Sequence, residues 1–295
     1  GQPVRGAGRA DGRSASRAGY LTLRAWRLWL AVLATLWLGL GSASAGGRVP
    51  EVERLLHLPR MVALLRDEGL THGKGLKADM LSGQAGAYFD RRISDIYDAD
   101  TMLDTLGSRI GAGLTADQID ATVAFFDSDR GQRIIRLELD ARVAIVEPAV
   151  DDMAAEALAQ AESDQAARVS AVDHFIDVND LTERNVSGAL GANYRFYRGL
   201  VEGGSHKMSE GEILDLVWSE EDAIRADTDG WLRRFLFMAY SPLSDQDMMA
   251  YQAFSESEAG QALNAALFDG FDRMYHAIYY NLGRAVADEL KASDL

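Results

Sequence analysis

The sequence predicts an all-α fold: a helical bundle built from two tandem related helical halves and preceded by a signal peptide. Apolar residues recur at steps of three and four along most of the chain, the period of helices with one buried face. Runs of strict alternation rich in β-branched residues are missing, so no strand is expected. Residues 114–134 return without a gap 129 positions later as residues 243–263. Seven of the 21 aligned positions are identical: Leu114/Leu243, Ala121/Ala250, Ala124/Ala253, Phe125/Phe254, Ser128/Ser257, Gly131/Gly260 and Gln132/Gln261.

In chain order, residues 1–19 are rich in Gly, Arg, Ser and Ala without periodicity and read as an unstructured leader. Arg24 and Arg27 then precede an uncharged apolar run of 13 residues, 28–40, which ends in Gly41-Ser42-Ala43-Ser44-Ala45. Positive flank, short apolar stretch and small-x-small end make a secretory signal peptide with its cut after Ala45, so residues 1–45 are assigned as leader and signal peptide. A spanning helix takes about 20 apolar residues, and extending this run backward meets Arg27, so no stable membrane span is expected after cleavage. No adjacent Arg pair precedes the run, which favours the general secretion route. The expected location is the periplasm.

Residues 50–147 form the first helical repeat. Val52, Leu55, Leu58, Val62 and Leu65 share a helical stripe that Pro59 kinks or restarts. Gly69, Gly73 and Gly75 are expected to interrupt it, leaving a short helical turn at most over residues 76–81. Tyr88, Phe89, Ile93, Ile96 and Tyr97 mark a helix over 84–97, and Met102, Leu103, Leu106 and Ile110 another over 100–110, which Gly111-Ala112-Gly113 ends. The repeated stretch follows as a helix-turn-helix corner. Thr115 with Gln118 suits a capping box, and Ser128 suits the next N-cap with Asp129 in the first turn. Ala121, Ala124 and Phe125 share one face, from which a close helix approach around a buried aromatic is expected. The helix beyond the corner carries Ile134, Leu137, Ala141 and Ile145, and Pro148 bends or restarts it.

Residues 148–180 read as a helical connector, acidic and Ala-rich over 151–164, then striped by Val169, Val172, Phe175 and Ile176. The second repeat, residues 181–292, opens with Val186, Leu190, Tyr194, Tyr197 and Val201 on one helix. Ser209 with Glu212 makes a capping box ahead of Ile213, Leu214, Val217 and Trp218. Ile224, Trp231, Leu232, Phe235 and Met238 follow before Pro242, and the second corner opens on Ser244 and turns at Ser257. At the 129-residue offset Phe89 falls opposite Trp218, and Leu103 and Leu106 opposite Leu232 and Phe235. Last, residues 259–290 step through Leu263, Leu267, Phe271, Met274, Ile278, Leu282 and Val286, the longest periodic segment.

The corner F-x-x-S-x-x-G-Q, residues 239–244 (A-Y-S-P-L-S), residues 263–268 (L-N-A-A-L-F) and residues 66–70 (R-D-E-G-L) together resemble the proteobacterial exported helical family known as domain of unknown function 2059. The likeness covers nearly all of the chain after Pro50. It implies an exported, all-helical protein and carries no activity, cofactor or catalytic residue with it. His72 departs from the pattern, where an aromatic such as Tyr is expected.

Charge and composition narrow the partners. The chain carries 30 Lys and Arg against 45 Asp and Glu, a net charge of −15. Removal of residues 1–45 takes six Arg and one Asp, leaving 24 basic against 44 acidic residues and a net charge of −20. Such an acidic protein is repelled by phosphate backbones and anionic lipid surfaces, so nucleic acid is excluded as a partner. Cys is absent, which excludes disulfides, thiolate metal sites, a lipidated Cys and a Cys nucleophile.

No catalytic, cofactor-binding or metal residue is assigned, and no cofactor is expected. G-x-G-x-x-A occurs at Gly73 and at Gly111, but neither follows a strand, as the dinucleotide fold requires. His57, His72, His174, His206 and His276 stand singly. Asp173, His174 and Asp177, with Asp180 nearby, form the densest group of ligand-type residues, and an exposed acidic face is the plainer reading. The function expected is a non-enzymatic periplasmic binding or interaction module, whose partner is a periplasmic protein or a small molecule in a cleft between the halves lined by Trp218, Trp231, Tyr194 or Tyr197. The alternative is a metal-assisted hydrolase using Asp173, His174 and Asp177.

Overall fold

A computed structural model describes residues 45–293, and among them every regular element is helical. The leader and signal peptide expected over residues 1–45 lie, except for Ala45, outside the described residues. No helix among the described residues is long and apolar enough to cross a membrane.

A 3-10 turn, Ala45–Arg48, leads into α1 (Val49–Leu55) and α2 (Leu58–Met80). Pro59 sits in the first turn of α2, where its missing N–H costs nothing, so it restarts the helix. The glycines that were expected to break α2 do not. It runs on for 23 residues because Gly69 and Gly73 lie under other helices: a Cβ at Gly69 would fall 2.3 Å from the Tyr97 ring, and one at Gly73 2.5 Å from Ile93 Cγ2. Close packing on a bare backbone here outweighs the low helix propensity of Gly.

Tyr97 and Ile93 belong to the next segment, α3 (Ala87–Ile96) and its C-cap, followed by α4 (Ala99–Gly113). The first corner is α5 (Ala116–Phe126) and α6 (Asp129–Ile145). Then come α7 (Pro148–Ser163), α8 (Ala167–Val178) and α9 (Leu181–Glu202). The chain continues through α10 (Glu210–Trp218) and α11 (Glu221–Tyr240) to the second corner, α12 (Asp245–Glu256) and α13 (Glu258–Ser293). At 36 residues α13 is roughly 54 Å long and serves as the spine of the bundle.

The two corners are held by the same bonds. Ser128 Oγ accepts from Gly131 N at 3.0 Å and donates to Phe125 O, and Ser257 Oγ accepts from Gly260 N at 3.1 Å and donates to Phe254 O. Gln132 Nε2 donates to Phe126 O, and Gln261 Nε2 to Ser255 O. Gly131 and Gly260 are required because a Cβ at either would press into the preceding helix end, 2.3 Å from Phe125 O and 2.0 Å from Phe254 O. The two bends also meet: Phe125 stacks on Phe254 with centroids 4.4 Å apart. The alanine face assigned from the sequence is corrected here. Ala121, Ala124 and Ala253 are exposed, and the buried faces are Ile119, Thr122, Val123 and Phe126 on α5 and Met248, Tyr251, Phe254 and Ser255 on α12.

Similarity also extends upstream, at a different spacing. Both α2 and α9 start after a left-handed residue, His57 (φ 53°) and Asp180 (φ 50°). Their buried positions coincide 123 residues apart, from Leu58 and Leu181 to Leu76 and Gly199. The change from 123 to 129 falls before the corners, where α11 has 20 residues and α4 has 15. Phe89 does not match Trp218 in burial: Phe89 is 1% exposed and Trp218 58%.

One hydrophobic core runs through helices of both segments. Helix α9 packs along α13, their backbones meeting where Gly199 faces Gly283. Helix α4 also lies on α13, and α11 lies on α6, so each segment packs one helix on the corner helix of the other. Helix α7 stands outside this core and buries Ala154 and Leu158 separately.

Candidate functional site

Where α3, α4 and α13 meet, the surface opens into a groove of about 300 Å³. This is at the small end of the range for small-molecule sites. Its floor is Ile96 from α3, Met102 from α4, and Met274, Ala277 and Ile278 from α13. The stripes that carry these residues place Met102, Met274 and Ile278 at the edge of the core, while Ala277 faces solvent and leaves the space above it open. The rim is polar: Arg92 and Asp95 on α3, Thr101 and Thr105 on α4, Arg273 and Asn281 on α13. Arg92 is bound to Asp288 at 2.6 Å and Arg273 to Asp269 at 2.9 Å, both partners on α13. Asp269 is shared with Arg109 at 2.5 Å. The rim guanidiniums are therefore anchored at the groove yet partly exposed, and each retains N–H donors beyond the one used.

Behind Tyr97, the residue after Ile96, lies a buried polar cluster. Glu68 on α2 accepts from Arg142 on α6 at 2.9 Å. Burial raises the Glu68 carboxyl above its ordinary value, and the Arg142 charge opposes that rise. One turn further along α2, His72 stacks on Tyr279 at 5.8 Å, and its Nε2 is buried without a partner. Burial depresses this imidazole to about 4, which keeps it neutral. Glu68, His72, Tyr97, Tyr275 and Tyr279 enclose about 10 Å³, room for one water at most.

A second buried carboxyl ties the two segments together. Glu138 Oε1 on α6 accepts from Tyr240 at 2.6 Å and from Tyr251 at 3.0 Å, so the acid of the first segment is held by two hydroxyls of the second. Burial pushes it up to about 7, against the pull of the two hydrogen bonds. Sequence reading missed Glu138 and Arg142. Glu138 and Arg142 fall at i+4 and i+8 from Ile134, on the face that also carries Ala141 and Ile145 at i+7 and i+11, and charges on an apolar stripe were the available signal.

The cleft expected from the sequence does not form. Trp231 is buried against Phe235 with centroids 4.9 Å apart, Tyr197 is buried, Tyr194 donates to Glu210, and Trp218 points outward. Helical period fixes which residues share a stripe and does not say which stripe a neighbour covers. The proposed hydrolase group also fails to converge. Asp173 turns to Arg233 on α11 at 2.8 Å and His174 to Glu256 on α12 at 3.0 Å, while Asp177 is exposed. Among the described residues no three His, Cys, Asp or Glu side chains are grouped to hold a metal ion. Among the other carboxyls raised by burial, Glu220 reaches about 7 and Asp272 about 6. No family model matches the sequence, and no curated protein or solved structure matches it either.

Proposed function

We propose that the chain is an exported, non-enzymatic binding protein made of two copies of one helical unit, and that it seats a small amphiphilic molecule in the groove between α3, α4 and α13. The observation that carries this reading is the groove itself: an apolar floor rich in Met, which adapts to varied shapes, bordered by two guanidiniums with spare donors. The ligand's apolar part lies over Met102, Met274 and Ala277, and its polar end takes a hydrogen bond from Arg92 or Arg273. Duplication is supported by the matched serine, glycine and glutamine bonds at the two corners. Export to the periplasm with a cut after Ala45, and membership of the exported helical family that the corner motif resembles, belong to the same proposal. The absence of Cys is compatible with an oxidising compartment for a chain large enough to rest on its core.

The test uses anilinonaphthalene sulfonate, an aromatic anion whose emission rises in apolar surroundings. The protein should bind it saturably, and Ala277→Phe, which fills the groove from an exposed position without disturbing the core, should weaken binding about tenfold or more while circular dichroism stays unchanged. Equal binding by Ala277→Phe and the parent chain would place the probe elsewhere and remove the groove from the argument.

A further inference from the structure

Helix α10 has an outward face that takes no part in the groove or the core. Ile213 and Val217 point inward and are buried, whereas Leu214 and Trp218, one turn apart on the other side, are 41% and 58% exposed. Gly211, one turn before Asp215, opens the same side further, since a Cβ there would meet nothing within 4 Å. A largely exposed Trp is a costly residue to leave in water and is the type most enriched in the energetic centres of interfaces.

Carboxylates dominate the stretch that carries this face, with Lys207 and Arg225 just beyond its two ends. Between residues 208 and 224 there are six carboxylates and no Lys or Arg. Four are engaged locally: Glu212 caps α10 through Ser209, Glu210 accepts from Tyr194, Glu220 accepts from Asn193, and Glu221 pairs with Arg225. Asp215, one turn before Trp218 on α10, and Asp222, in the first turn of α11, are exposed and form no ion pair among the described residues.

These features select the occupant. A second copy of this chain docked through the same face would bring Asp215 and Asp222 of both copies together without a cation. An anionic lipid surface or a nucleic acid meets the same repulsion. We propose that the α10 face docks a Lys/Arg-rich amphipathic segment of a partner protein. An apolar side chain of that segment packs on Trp218 and Leu214, and its cations pair with Asp215 and Asp222 or lie over the indole.

The test is calorimetric titration of the full chain with a synthetic helical peptide of Leu and Lys at heptad spacing, beside a control in which Glu replaces Lys. The Lys peptide should bind and the Glu peptide should not. Trp218→Ala should weaken binding about tenfold or more, and the Asp215→Asn, Asp222→Asn double variant should weaken it and flatten its salt dependence. All three positions are exposed, so circular dichroism should match the parent chain. Equal affinity in Trp218→Ala would mean that the peptide merely follows net charge, and would overturn the proposal. So would failure of the Lys peptide to bind, binding to anionic vesicles abolished by Trp218→Ala, or self-association lost in that variant.

Discussion

Replacing Glu138 by Gln separates what its hydrogen bonds contribute from what its charge costs. Gln keeps an oxygen for the Tyr240 and Tyr251 hydroxyls and removes the ionisation. The carboxyl is held at about 7 in place of 4.5 by burial. At about 1.4 kcal/mol per tenfold change in proton affinity, ionising it in the folded state costs up to ~3 kcal/mol. The residue as a whole is half-buried, and its remaining solvent contact lowers the expectation to roughly 2 kcal/mol. The sign follows from a folded value raised above the unfolded one. Below about pH 4.5 both states hold the proton and the stabilisation is complete; it is lost as pH rises through about 7, because the unfolded chain releases its proton earlier. Urea unfolding at about pH 4.5, 6 and 8, extrapolated linearly to water, should show Glu138→Gln gaining roughly 2 kcal/mol on the parent chain across that range. Glu220 and Asp272, raised in the same direction, are common to both proteins and cancel. A difference that stays flat with pH would refute the reasoning, since the carboxyl would then titrate alike in both states.

His72 works in the opposite direction, because burial depresses it from 6.5 to about 4. Its contribution is complete above 6.5 and fades as pH falls, so His72→Phe, which keeps a ring on Tyr279, should abolish a loss of roughly 2 kcal/mol between about pH 7 and pH 5, read by urea unfolding. Arg142→Met should destabilise by about 3–5 kcal/mol by leaving Glu68 buried without its cation, and adding Glu68→Met should restore most of that in the same assay. Gly260→Ala should cost roughly 2–4 kcal/mol in thermal or urea unfolding, because its Cβ meets backbone, whereas Gly211→Ala, into open space, should add about 0.5–1 kcal/mol. If Gly260→Ala proved as harmless as Gly211→Ala, the corner packing described above would be wrong.

What the sequence revealed and what it hid divide by the range of the forces involved. The corners and the start of α10 were legible because their determinants are local: Thr115 with Gln118, Ser209 with Glu212, and Ser128 and Ser257 with the glycines three residues on all act within one helical turn. Helix α2 was misread because its glycines answer to Tyr97 and Ile93, more than 19 residues away in sequence, and no local rule weighs a neighbour that distant. The groove was hidden for the same reason. Ile96, Met102 and Met274 read as ordinary core residues, and the opening they line depends on how α13, a helix of the second segment, lies across α3 and α4 of the first. The same exchange explains why Glu138 tolerates burial. Its hydroxyl partners, Tyr240 and Tyr251, arrive from the other segment, so neither segment alone contains the site that satisfies it. The buried acid and the groove therefore both sit where the two segments meet, and the matched serine, glycine and glutamine residues mainly hold the bends.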